Sequence, residues 1–325
     1  MLRPMTCPHH FELYLSEQRS YRDLPMRIAE LAKLYRYEQS GELNGLIRVR
    51  SFCLSDAHII CADPAQAKQE IQSALDLIDY IQKIFGLEEG KNYSYRLSLG
   101  NRADESKYFK DDNAWETAEN ILREVLVERK ANFIEVEDEA AFYGPKIDVQ
   151  MKNVNGKEDT AFTVQYDFVM PKRFKLEYTG QDGHRHEAIV VHRSSVGAIE
   201  RVMAFLIEHF AGNFPLWISP EQVAVIPIAE THNEKAQEVF ELLKQAGIRT
   251  TTDTSKEGFG KKVRAAKKDR LPYFIIIGDK DIEAGMITLE SRDDGNLGQM
   301  KIEDVVTLLK EEIMTKKLPD ASKVN

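Results

Sequence analysis

Charged, aromatic and imidazole side chains alternate along residues 34–61, LYRYEQSGELNGLIRVRSFCLSDAHIIC. The two ends of this stretch predict strands, and residues 38–45 predict a polar loop. Side chains two residues apart on a strand share a face. On the second strand that face would carry Arg48, Arg50, Phe52, Leu54, Asp56 and His58. Such a face makes a poor core but a good floor for a charged ligand, because arginine grips phosphate through paired hydrogen bonds.

An ordinary antiparallel hairpin with one solvated face would show the same alternation. Arg36 and Glu38 share a face on the first strand, which either interpretation allows. The pattern by itself therefore leaves a ligand site and a plain hairpin as open alternatives.

Length, charge and cysteine count limit which classes of protein this chain can belong to. With 325 residues the chain is long enough for two domains with separate cores. Its three cysteines, an odd number, argue against a disulfide framework and for a reducing, cytoplasmic environment. The net charge of −9 argues against a general nucleic-acid coat, although a local patch could still bind RNA. No apolar run approaches a membrane span and no signal-peptide pattern is present, so no membrane association is expected.

The pattern R-x-E, a loop, then R-x-R-x-F-x-x-x-D-A-H resembles motif 2 of the class II aminoacyl-tRNA synthetases, in the form found in the threonyl-tRNA synthetase family. The resemblance implies that Arg36 holds the α-phosphate of ATP. It also implies that Glu38 lies beside the adenine and that Phe52 stacks on it. Arg48 belongs to the same implied ATP site.

Two further segments resemble the same family. Residues 140–150, AAFYGPKIDVQ, predict a Gly-Pro turn and then an alternating strand, which a surface turn would explain equally well. The family carries F-Y-G-P-K here, which implies that Tyr143 lines the amino-acid pocket and that Lys146 lies near the ATP phosphates. The strand at 161–168 matches T-x-Q-x-D-F, which implies that Thr163 and Gln165 lie near the substrate.

A third motif follows at residues 187–201. A strand predicted to end at His192 precedes a turn near Gly197 and then a helix, whose buried stripe would include Met203. Arg201 lies in the first turn of that helix, where a solvated arginine is the plain alternative. The pattern G-x-x-E-R resembles motif 3 of the class II synthetases, which implies that Arg201 contacts the γ-phosphate of ATP.

The metal prediction depends on the resemblance alone. Cys7, His58 and His192 lie far apart in the sequence, and each by itself is more typical of a buried core residue. They match the family's zinc ligands in three separate motifs, and one thiolate with two imidazoles suits Zn²⁺. His9 and His10 are expected to be supporting or surface residues. In the family threonine completes the coordination through its amino nitrogen and hydroxyl, and Asp56 is placed to accept that hydroxyl's hydrogen bond.

A metal that requires a hydroxyl ligand would reject valine, which an apolar pocket cannot separate well from isosteric threonine. Zinc would not exclude serine, which also carries a hydroxyl.

The pattern changes after residues 214–220. Alternating strands and helices predict a small, mostly parallel sheet, and the segment resembles the anticodon-binding domain shared by threonyl-, prolyl-, glycyl- and histidyl-tRNA synthetases. Residues 261–270, KKVRAAKKDR, hold six basic residues against one acid. They predict either an RNA footprint or a solvated helix face.

We therefore expect an α+β protein: a class II antiparallel sheet flanked by helices in residues 1–217, N-terminally incomplete, followed by an α/β anticodon-binding domain in residues 218–325. Motif 1, which builds the family's homodimer, has no counterpart here. Leu54 and Thr160 also depart from the family, which usually has glutamine at both positions.

The implied function is ATP-dependent activation of threonine and its transfer to tRNA(Thr), with one Zn²⁺ per chain and Mg²⁺ accompanying ATP. Arg36, Arg201 and Lys146 would act on the phosphates. Two alternatives are a non-catalytic paralogue that binds RNA or a partner protein, and a synthetase of related architecture such as the prolyl or seryl enzyme.

Overall fold

The structure is a computed structural model that describes residues 2–320. The chain divides into two compact units, Met1–Phe205 and Leu206–Asn325. None of the described helices is long and apolar enough to cross a membrane.

The first unit is built on a seven-stranded sheet. Its strands are β1 (Met26–Tyr35), β2 (Ser51–Cys61), β3 (Tyr93–Ser98), β4 (Phe133–Val136), β5 (Lys146–Lys152), β6 (Glu158–Asp167) and β9 (Ile189–Ala198). They lie in the order β1-β2-β9-β6-β5-β3-β4, and every neighbouring pair is antiparallel except β3 and β4. A separate hairpin consists of β7 (Glu177–Thr179) and β8 (Arg185–Glu187).

Five helices accompany these strands: α1 (Cys7–Leu15), α2 (Pro64–Ile84), α3 (Asp112–Glu128), α4 (Met170–Phe174) and α5 (Ile199–His209). The longest, α2, begins where the Asp63 carboxylate accepts a hydrogen bond from the Gln66 amide at 2.8 Å. Its apolar stripe, with Ile71, Leu75 and Ile78 fully buried, packs against the central strands β9, β6 and β2. α3 packs beside it, against β5.

Helix α1 packs on side chains of β2 and β9. Its Phe11 and Tyr14 are fully buried in a cluster with Ile60 of β2 and Val190 of β9. Side chains alternate along a strand, so residues two positions from Ile60 and Val190 point to the same side. His58 and His192 are those residues, and α1 therefore brings Cys7 toward them.

The second unit has a five-stranded sheet in the order β11-β10-β12-β13-β14. Its strands are β10 (Val223–Pro227), β11 (Thr250–Thr252), β12 (Tyr273–Ile277), β13 (Ile287–Ser291) and β14 (Gly295–Met300), and its helices are α6 (Asn233–Gln245), α7 (Phe259–Lys268), α8 (Asp279–Ala284) and α9 (Ile302–Thr315). β10 pairs in parallel with β11 and β12, whereas β13 pairs antiparallel with both β12 and β14. The prediction of a mostly parallel sheet holds for β10, β11 and β12, but the chain reverses at the short helix α8, and β13 and β14 then form an antiparallel hairpin.

Three local predictions in the first unit also need correction. The strand predicted to end at His192 continues to Ala198, because Gly197 adopts a φ of +71° and lets β9 pass close to the Ala161 carbonyl. Met203 is 49% exposed and is not part of a buried stripe. The second arm of the first hairpin becomes a strand only at Ser51, so Arg48 and Arg50 belong to the connecting loop.

Candidate functional site

A cavity of about 300 Å³ opens beside β2, β6 and β9 in the first unit. Its walls also include the loop that joins β1 to β2 and the first turn of α5. Of the site residues predicted from the sequence, those that line it are Cys7, Arg36, Glu38, Arg48, Phe52, Asp56, Tyr143, Thr163, Gln165, His192 and Arg201. The fold thus brings together residues from motifs that lie almost 200 positions apart.

Arginine side chains and an aromatic ring mark one part of the cavity. The Arg36 guanidinium lies 5.2 Å from the centre of the Phe52 ring, a cation–π distance. Arg36 is exposed to solvent, and its amide donates to the Arg50 carbonyl at 2.9 Å, which closes the base of the loop. An exposed guanidinium beside an aromatic face offers binding to both phosphate and a planar base.

Arg201 is held more tightly than Arg36. Its Nε donates to the Ile47 carbonyl at 3.0 Å, and its Nη1 donates to the Thr160 carbonyl. Burial lowers the pKa of Arg201, and the positive charges of Arg48 and Arg36 act in the same direction. Arg36, Arg48 and Arg201 therefore share one cavity. None of the three is bonded to a carboxylate among the described residues, an arrangement that favours an anionic ligand.

The structure places Arg50 and Lys146 differently from what the sequence predicts. Arg50 does not line the cavity; its Nε donates to the Glu38 carbonyl at 3.0 Å and its guanidinium lies over Tyr37. The alternation predicted for it fails because the loop does not have the two-residue period of a strand. Lys146 also lies outside the lining, and its Nζ pairs at 2.9 Å with the fully buried Asp148.

The metal-type residues converge at another part of the site, where Cys7 and His192 line the cavity, whereas His58 is fully buried and is not part of the lining. His58 on β2 and His192 on β9 are directly opposite each other, and Gln165 on β6 is opposite His192. Cys7 Sγ lies 3.7 Å from His192 Nδ1. One ligand atom each from Cys7, His58 and His192 fall within 4.8 Å of one another.

Neighbouring side chains fix the orientation of both imidazoles. His192 Nε2 contacts the buried carboxylate of Asp167 at 2.7 Å. His58 Nδ1 contacts Nδ1 of the buried His10 at 2.8 Å, and His10 Nε2 lies 3.6 Å from Glu30. Carboxylate and imidazole partners of this kind orient metal-ligating histidines. His10, expected to be a supporting or surface residue, is a buried supporting residue.

The donor set fits a zinc ion. Within residues 2–320, Nε2 of His58 is buried and has no hydrogen-bond partner, which is a costly state unless something binds it. Burial, with the charges of His192 and His10, lowers the pKa of His58 well below its usual range. Burial opposes charge on His192, but the hydrogen bonds to Asp167 and Cys7 raise its pKa to about 10. His58 thus offers a neutral imidazole with a free nitrogen. Zinc bound here would replace the proton that His192 shares with the Cys7 sulfur, because imidazole and thiolate bind the ion in their deprotonated forms.

Polar side chains surround the space next to these residues. The Tyr143 ring stacks on His192 with centroids 4.8 Å apart, and its hydroxyl donates to Gln165. Gln165 Nε2 lies 3.3 Å from Thr163 Oγ1. Asp56 accepts a hydrogen bond from the hydroxyl of Thr6. A small polar molecule would meet hydroxyl, amide and carboxylate groups here.

Leu54 and Thr160, the two departures from the family pattern, both line the cavity. Thr160 Oγ1 accepts a hydrogen bond from the buried Gln150 at 2.7 Å, so a glutamine amide on the neighbouring strand adjoins this position. Sequence reasoning assigned no site role to Thr6, Asp167 or Gln150. Asp167 had a signal, since it shares the predicted face of Thr163 and Gln165, and Thr6 directly precedes Cys7.

Several basic side chains on helix α7 of the second unit are already paired within the protein, so fewer are available to RNA than the sequence predicts. Lys261 pairs with Glu257 and Lys267 pairs with Glu290, each at 2.7 Å. Lys262 is only 6% exposed and donates to the Asp253 carbonyl. The RNA footprint predicted for this helix thus has fewer unengaged side chains than its six charges suggest.

Comparisons with known proteins give consistent matches over most of the chain. Residues 1–210 match the tRNA synthetase class II core domain (G, H, P, S and T), and residues 222–312 match the anticodon binding domain. A threonine–tRNA ligase of Halalkalibacterium halodurans is 47% identical over 94% of this chain and 47% of that protein. One from Clostridium perfringens is 44% identical over 96% of this chain and 48% of its own length.

Among solved structures, the RNA binding domain of threonyl-tRNA synthetase from Cryptosporidium parvum superimposes with a TM-score of 0.88. It is 30% identical, over 98% of this chain and 78% of that one. The chain spans about half the length of the curated relatives it matches. The predicted fold class, a class II sheet followed by an α/β anticodon-binding domain, is confirmed.

Proposed function

The chain belongs to the threonyl-tRNA synthetase family of class II aminoacyl-tRNA synthetases, and from this membership we propose that it activates threonine with ATP and transfers the threonyl group to tRNA(Thr). The observation that carries the proposal is the shared cavity. It joins an arginine-lined part suited to phosphates with a cysteine–histidine cluster suited to a metal. Threonine and ATP bound in one cavity would have their reacting groups side by side.

The arginine-lined part would bind ATP. Phe52 would take the adenine face, with Glu38 beside it, and Arg36, Arg48 and Arg201 would hold the phosphates together with the Mg²⁺ that accompanies ATP. Guanidinium groups already in place stabilise the charge that develops as pyrophosphate leaves. Lys146 would join them only after leaving Asp148, with which it is paired.

The other part would bind threonine. A zinc ion held by Cys7, His58 and His192 would supply an open coordination position that favours a hydroxyl-bearing ligand over valine. Asp56 would accept a hydrogen bond from the substrate. Tyr143, Thr163 and Gln165 would line the pocket. The hydrogen bonds from the Tyr143 hydroxyl to Gln165 and from Gln165 to Thr163 would keep their orientations fixed.

We also propose that the second domain begins near residue 218 and binds tRNA(Thr), as its anticodon-binding match suggests. A homodimer and a cytoplasmic location remain predictions from the family and from the cysteine count.

Threonine-dependent ATP–pyrophosphate exchange tests the proposal. The purified chain should exchange with threonine, weakly with serine and not with valine. Absence of exchange in a folded, zinc-loaded chain that also binds neither threonine nor ATP would contradict the proposal and favour the non-catalytic binding module.

A further inference from the structure

Thr6 uses its hydroxyl in an unusual way for a residue at a helix start. It precedes α1 as the N-cap residue, and its carbonyl accepts from the amides of His9 and His10 at 3.0 and 3.2 Å. An N-cap threonine commonly turns its side-chain oxygen back to accept from the helix's own amides. The hydroxyl of Thr6 makes no such bond. It is fully buried and donates instead to Oδ2 of Asp56 on β2.

Asp56 lies in a position that needs an external donor. It is directly opposite Glu30 across the β1–β2 pair, and facing carboxylates repel. Glu30 is engaged by Arg3, whose Nη1 and Nη2 lie 3.1 and 2.5 Å from its oxygens. On the other side, the pairing of β2 with β9 shifts register between Ser55 and Ala57. A shifted register leaves the direction of the intervening side chain less constrained by the sheet.

We propose that Thr6 is a positioning residue that holds Asp56 ready to bind the polar groups of a β-hydroxy α-amino acid. The inference rests on the proposed function, since Asp56 is the residue assigned to the substrate there. Thr6 itself does not line the cavity and acts through Asp56.

The test compares Thr6→Val, which keeps the shape and removes the hydroxyl, with Thr6→Ser, which keeps the hydroxyl. Threonine affinity and ATP affinity are measured by calorimetry on the full chain, with zinc content and thermal unfolding measured on the same samples. Thr6→Val should weaken threonine binding by about tenfold, as loss of a hydrogen bond to a charged group predicts. Its ATP affinity and zinc content should equal those of the unmodified chain, and Thr6→Ser should bind threonine nearly as well as that chain.

The outcomes separate this inference from the proposed function. If the unmodified chain binds no threonine, the proposed function fails and the inference fails with it. If that chain binds threonine and Thr6→Val binds it equally well, the inference alone is wrong. Should Thr6→Val unfold, Thr6→Ala removes the hydroxyl without adding an apolar methyl. Loss of zinc from a folded Thr6→Val chain, with zinc retained in Thr6→Ser, would also overturn the inference, because the hydroxyl would then serve to hold α1 and Cys7.

Discussion

His58 and His192 are direct cross-strand partners on β2 and β9, and their rings meet edge to face with centroids 4.5 Å apart. They are 134 positions apart in the sequence, yet antiparallel pairing sets them side by side. The first supporting partner of each ring is different: His10 for His58 and Asp167 for His192. Two imidazoles oriented in this way beside Cys7 favour the binding of one metal ion.

Replacing His58 with alanine should remove zinc. His58→Ala leaves only Cys7 and His192 of the three ligands, so metal content should fall from near one per chain to near zero. Elemental analysis of the purified, dialysed protein measures this. His9→Ala is the matched control, because His9 is exposed and adjacent to His10 in the chain. Full zinc retention in His58→Ala would rule out the proposed ligand set.

Arg36→Ala should impair ATP use without unfolding the chain. Arg36 is exposed and contacts the ring of Phe52 rather than the core, so the fold should persist. Removal of one preorganised charge donor typically costs about 10²-fold or more in rate, which pyrophosphate exchange would detect. Arg22→Ala, at an exposed turn outside the cavity, is the control. Equal exchange rates for the two variants would show that Arg36 does not take part in ATP binding.

Gly197→Ala should destabilise the first unit severely. Gly197 has a φ of +71°, and an added Cβ would lie 2.1 Å from the Ala161 carbonyl oxygen. The left-handed backbone and the overpacking together cost roughly 3 kcal/mol of unfolding free energy. Gly156→Ala is a matched control, with a φ of +78° and open space around the added atom. Denaturant unfolding compares the two, and equal losses would show that the close approach of β9 to Ala161 is not rigid.

Stability should depend on pH through Glu135. Its carboxylate bonds to Arg123 at 2.7 and 2.8 Å, and this hydrogen bonding lowers its pKa although burial opposes the shift. A depressed folded-state pKa contributes stability above the unfolded pKa of about 4.3 and loses it as pH falls through the folded value. Glu135→Gln should therefore cost up to about 1 kcal/mol of unfolding free energy at pH 7, as expected for a surface pair, and much less at pH 2.

Denaturant unfolding at the two pH values measures the effect of Glu135→Gln. Glu137→Gln, two residues along, should show no comparable dependence. A loss that is the same at both pH values would assign the effect to something other than the charge on Glu135.

Much of the fold could be predicted from local pattern. The apolar stripe of α2 at Ile71, Leu75 and Ile78 is buried, as its three- and four-residue spacing predicts. The missed helices and strands are short: β4, β7, β8, β14, α4 and α8 have between three and six residues each. Short elements depend on neighbouring strands and turns more than on their own sequence.

The sequence by itself determined the chemistry that this protein can offer. The residue types and motif spacing around Arg36, Phe52, Cys7 and His58 identify the family, because arginine, aromatic, thiol and imidazole groups are properties of individual side chains. They also determine the alternation that turns Thr163 and Gln165 to one face of their strand.

Only the tertiary structure decided which of those groups are available. Burial leaves one nitrogen of His58 without a hydrogen-bond partner in the part of the chain that the structure describes. Cross-strand pairing unites His58 with His192, and packing ties Lys146 to Asp148. It also turns Arg50 away from the cavity. The physical reason is that hydrogen-bond partners and burial arise between segments far apart in the chain, so local sequence cannot specify them.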